Sequence, residues 1–66
     1  MRRVESLQYV RDHAGQRTRA QFIEMWRPVG DMEWGILLRD GLVDDANGFI
    51  HLTIKGANVL EELENK

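Results

Sequence analysis

Residues 39–63, RDGLVDDANGFIHLTIKGANVLEEL, decide how this chain folds. Asn47-Gly48 is a strong hairpin signal, because a two-residue turn between strands needs positive φ at both central positions and these residue types accept it most readily. A turn centred there sets Asp44 opposite His51 and Val43 opposite Leu52, with Asp45 facing Ile50 and Ala46 facing Phe49. Alternation then gives Val43, Ile50 and Leu52 one face of the hairpin, and Asp44 and His51 the other. Asp45 falls on the apolar side, near an open end where it can reach water. Before the hairpin, Gly41 is placed to end a helix in the left-handed conformation. After it, Thr53 is placed to cap a closing helix. Ile54, Ala57, Leu60 and Leu63 recur every three residues and predict that helix's core face.

Upstream, Val4, Leu7 and Val10, with Tyr9 beside them, predict an amphipathic helix over residues 2–13, ended by Gly15. Thr18 and Gln21 have capping-box spacing and start a second helix. Phe22 and Trp26 share a face of it, and it must stop by Arg27 because Pro28 disfavours helical geometry in the preceding residue. Gly30 adds freedom to the connection. Asp31 is the expected cap of a third helix running from Met32 to Asp40. The expected fold is therefore α+β and mainly α: three helices, a two-stranded hairpin and a C-terminal helix in a single domain spanning residues 1–66.

Composition narrows the function. A chain of 66 residues builds a small core and has little room for a deep catalytic cleft. It has no cysteine, which excludes disulfides, thiolate zinc sites and thiol nucleophiles. No apolar run near the N-terminus resembles a signal peptide, and none approaches the roughly 20 residues of a membrane span. The expectation is a cytoplasmic protein with no membrane association. The net charge of −2 is unevenly distributed. Through Arg27 there are six arginines against three acids, a balance of +3; from Pro28 onward three basic residues meet eight acids, a balance of −5. Any basic surface must come mainly from the front of the chain.

The residues quoted at the outset carry a resemblance. LLRDGLVDD is similar to the segment that ends a recognition helix and enters the wing in the winged-helix superfamily, and IHLTIKGANVLEEL is similar to the segment that leaves the wing in MarR- and PadR-like regulators. The resemblance implies a winged helix-turn-helix and, with it, binding of double-stranded DNA as a transcriptional regulator or a regulator's cofactor. In such proteins the third helix enters the major groove and the wing contacts the adjacent backbone. The implied contacts here are Arg17, Thr18, Arg19, Arg27, Arg39 and Lys55. With no room for a separate sensor domain, such a regulator is expected to work as a dimer or with another protein.

The surface departs from that pattern. The third helix should present Asp31, Met32, Gly35, Ile36 and Arg39 outward, and of these only Arg39 is a base-reading type. Asp44 and Asp45 flank a wing tip that has no Arg or Lys, and duplex DNA would repel them. The alternative is a protein-interaction module, an adaptor or a phage or mobile-element protein that binds host machinery, using Asp31, Met32, Gly35, Ile36 and Phe49. Met32 and Ile36 are either an exposed docking patch or, if the helix is rotated, core. Trp26 and Trp34 are expected as core anchors. His51 and Asp44 are expected to form a cross-strand surface ion pair rather than a catalytic pair, since no nucleophile is placed beside them. His13 and Asp12 are adjacent on a helix and point apart, which does not suit a shared metal. No catalytic residue, metal site, cofactor or small-molecule ligand is expected.

Overall fold

Several element boundaries have a local cause. The computed structural model describes residues 3–65, so Arg2 and Lys66 lie outside the described residues. The order is α1 (Arg3–Asp12), α2 (Arg19–Met25), α3 (Gly30–Arg39), β1 (Val43–Asp44), β2 (His51–Leu52) and α4 (Ile54–Glu64). The described residues thus form a mainly helical structure of four helices with one two-stranded antiparallel sheet. Gly15 and Gly41 take left-handed φ values of +73° and +74°, which lets the chain turn out of α1 and α3. Thr18 Oγ1 accepts from Gln21 N and Gln21 Oε1 accepts from Thr18 N, a complete capping box. Thr53 Oγ1 accepts from Gly56 N at 3.0 Å, and its hydroxyl donates back to the Gly41 carbonyl. One threonine therefore caps α4 and ties it to the end of α3.

Asp31 is not the cap of α3. The helix begins at Gly30 with Val29 in the cap position and no side-chain cap bond, so Asp31 lies inside the first turn. Gly30 explains the earlier start. A Cβ there would collide with the backbone of Ile23, so the glycine serves close packing of α3 on α2 rather than loop freedom.

The hairpin has the expected register, Val43 opposite Leu52 and Asp44 opposite His51. Its tip differs. Gly48 alone takes positive φ, at +84°, and Gly48 N donates to Asp45 O at 2.9 Å. The turn spans Asp45–Gly48 instead of closing on Asn47-Gly48 alone. Ile50 is diverted from the ladder: its N–H donates to Arg17 O at 2.8 Å, and its carbonyl accepts from Gly15 N at 3.0 Å. The connection between α1 and α2 is thereby stapled to the second strand's approach.

The core gathers Leu7, Val10, Phe22, Leu37, Leu42, Val43 and Ile50, with Trp34 and Leu60 almost wholly buried beside them. Trp34 is a core anchor, its ring edge-on to Phe22 at 5.3 Å between centroids, and Trp26 packs half-buried against the same cluster. The face of α4 is rotated from the expected one. Gly56, Val59, Leu60 and Leu63 point inward, while Ala57 is exposed and Ile54 is 85% exposed. Steps of three fall about 60° short of a turn each, so a three-residue repeat spirals off the core, whereas 56, 59, 60 and 63 hold one stripe.

Candidate functional site

Three of the four arginines proposed for phosphate contact lie beside carboxylates. Arg19 Nε lies 3.9 Å from Asp45 Oδ2, Arg27 is 3.1 Å from Glu24, and Arg39 is 3.6 Å from Asp40. Of the other front arginines, Arg3 meets Asp40 at 3.3 Å, and Arg11 meets Glu64 at 2.9 Å and Asp12 at 3.2 Å. Exposed pairs of this kind are weak, so none of these guanidinium groups is locked. Their effect is on the field: an arginine beside a carboxylate adds little positive potential at a distance. Arg17 has a different partner. It donates to Tyr9 Oη at 3.3 Å, and its guanidinium lies over the Tyr9 ring, 5.8 Å from the centroid. Lys55 is exposed and has no ion-pair partner among the described residues.

Thr18 offers little to a phosphate. Its hydroxyl already serves Gln21 N, and α2 has only seven residues.

Electrostatics do tie α1 to α4. A hydrogen bond from Gln8 and then the Arg11 guanidinium hold the Glu64 carboxyl below its ordinary range. Glu64, then Asp12, raise Arg11 further above its already high value. A shallow groove of about 270 Å³ opens beside this pair, lined by Arg11, Leu52, Ala57, Leu60, Glu61 and Glu64.

The outward face of α3 is the other candidate. Met32 is 64% exposed, Asp31, Gly35 and Arg39 are exposed, and Ile36 is half-buried at the margin. The helix is therefore not rotated to bury Met32. Leu38, which sequence reasoning did not single out, is 46% exposed and joins this face. The pairing of Leu37 with Leu38 conceals it, since only the burial of Leu37 separates the two roles. Glu33 turns away from the surface and accepts from Ser6 Oγ at 3.1 Å, which links α3 to α1. Among the described residues Asp31 accepts only from the adjacent Met32 N, at 2.8 Å. Gly35 has neither a positive φ nor a near neighbour: a Cβ there would meet nothing within 4 Å. A glycine inside a helix costs about 0.5–1 kcal/mol relative to alanine. Here, no close packing among the described residues offsets that cost.

Phe49 is 41% exposed at the hairpin tip. The expected His51–Asp44 ion pair does not form. Asp44 Oδ1 accepts from Ala46 N at 3.4 Å, shaping the turn, and the His51 ring lies against Gly15. Among the described residues no group of three His, Cys, Asp or Glu side chains is placed to hold a metal ion, and no helix is long and apolar enough to cross a membrane. Comparison with protein-family models, with curated proteins and with solved structures returns no match.

Proposed function

We propose that this chain is a winged-helix module, non-enzymatic, whose third helix makes protein contact in place of reading DNA. The order of α1, α2, α3, hairpin and α4 supports the winged-helix assignment, with Gly41 ending the third helix and Thr53 opening the last. One observation carries the functional choice: Arg3, Arg11, Arg19 and Arg27, four of the six described arginines, each lie beside a carboxylate, Arg39 shares Asp40 with Arg3, and α3 turns Met32 and Leu38 to solvent. Protein interfaces favour a desolvated apolar centre with polar groups at the rim. A DNA-reading helix needs polar side chains aimed at base edges, and of those α3 supplies Arg39 alone.

DNA binding is the second reading. It is favoured by Arg17 and Lys55, which have no acidic partner among the described residues. Titration into labelled duplex at about 50 mM salt separates the two, because counterion release makes non-specific affinity strongest at low salt. Protein contact predicts no saturable binding. Saturable binding that Arg17→Ala with Arg19→Ala weakens, with a salt slope reduced by about two, would establish the DNA reading instead.

A further inference from the structure

We infer that the partner of the α3 face is a second copy of this chain, laid antiparallel across α3 with Gly35 at the crossing. This rests on the protein-contact reading and names the partner. Along α3 the exposed residues are symmetric about Gly35: Asp31 and Met32 lie four and three positions before it, and Leu38 and Arg39 lie three and four positions after it. An antiparallel copy brings each residue level with the one equally far on the other side of the centre. Asp31 of each copy then stands level with the partner's Arg39, about 6 Å along the axis from the crossing. Met32 stands level with the partner's Leu38. The charges are opposite at both ends and the middle is apolar, so the helix is complementary to itself, as a two-fold contact requires.

Asp31, Gly35 and Arg39 lie on one row of residues four apart, the ridge by which helices commonly interdigitate. Gly35 is the notch in that ridge. Gly30 and Gly56 are explained inside the chain by close backbone approach, and Gly35 is the helical glycine whose missing Cβ faces open space. A second helix backbone supplies the reason for it. The two end charges are available. Arg39 is 75% exposed and lies 3.6 Å from an Asp40 that Arg3 approaches more closely, and among the described residues Asp31 bonds only its neighbour's N–H. A ten-residue helix cannot cover the roughly 800 Å² per partner of a standard interface. The dimer is therefore weak and concentration-dependent.

Sedimentation equilibrium of the full chain over a concentration series tests this. The unaltered chain should show a monomer–dimer equilibrium. Asp31→Arg and Arg39→Asp each place like charges together twice, and each should weaken dimerisation roughly ten-fold or more. An equimolar mixture of the two variants should recover it, because every end contact is again of opposite sign. Gly35→Leu, whose Cβ meets open space in the monomer, should leave a dilute melting curve cooperative and abolish the dimer. The inference is overturned by a chain that stays monomeric at its highest soluble concentration, by a dimer indifferent to all three substitutions, or by a mixture that does not recover. Duplex titration separates failure of this inference from failure of the reading beneath it. A monomer that ignores duplex leaves α3 to another protein, whereas a monomer that binds duplex through Arg39 removes both.

Discussion

Two helices of this protein carry an interior glycine, and the two glycines sit in opposite surroundings. In α4, Gly56 is buried against Leu42, and a Cβ there would collide with the Leu42 carbonyl. In α3, Gly35 faces solvent with no atom near where a Cβ would stand. The first weakens its helix in exchange for a seam in which α4, the start of the hairpin and the end of α3 come together. The second weakens its helix with no close contact in return among the described residues. The same residue type thus marks a contact made within the fold in one place and a contact made outside it in the other.

Substitution separates the two glycines by sign. The largest effect is expected at the seam: Gly56→Ala should destabilise by about 1–3 kcal/mol or more, since overpacking against backbone has no flexible neighbour to yield. The midpoint of a denaturant curve measures it, and an unchanged midpoint would mean that α4 does not approach Leu42 so closely. Thr53→Ala comes next. It loses the α4 cap and the bond to Gly41, and should cost about 1–2 kcal/mol by the same measurement. Gly35→Ala should act the other way in dilute solution, stabilising by about 0.5–1 kcal/mol. A destabilised Gly35→Ala monomer would erase the contrast.

The smallest effect belongs to the α1–α4 tie. The Glu64 carboxyl is held below its ordinary value of 4.5, so its stabilisation is present above that pH and is lost as pH falls through the lowered folded value. A slope in stability below pH 4.5 that Glu64→Gln reduces is expected from acid titrations followed by circular dichroism. The raised Arg11 acts only at strongly alkaline pH.

The seam was legible in the sequence because local chemistry writes it: Gly41 ends a helix, Thr53 starts one, and the hairpin register between them follows from alternation around Asn47-Gly48. The turn itself was not, because the backbone of Ile50 is claimed by Gly15 and Arg17, a contact far along the chain that no local pattern records. The inward face of α4 was misplaced because Leu60 and Leu63 fit both a three-residue step and the true stripe. Asp31 fits a cap by type, but the glycine before it lets α3 begin against Ile23 two positions earlier. For the candidate surface, placing Trp34 and Leu37 inside put Gly35 outward but left Met32 between patch and core, and the structure exposes it. The long-range pairs did not follow: Arg3 finds Asp40 across 37 positions, and Arg11 finds Glu64 across 53.

The most direct measurement of the central claim is an isotope-filtered NOE experiment on an equal mixture of labelled and unlabelled chain, which records contacts between copies only. Self-pairing through α3 predicts cross-copy signals from the Met32 methyl to Leu38 or Ile36 of the other copy. Cross-copy signals confined to another surface, or none at the highest soluble concentration, would contradict it.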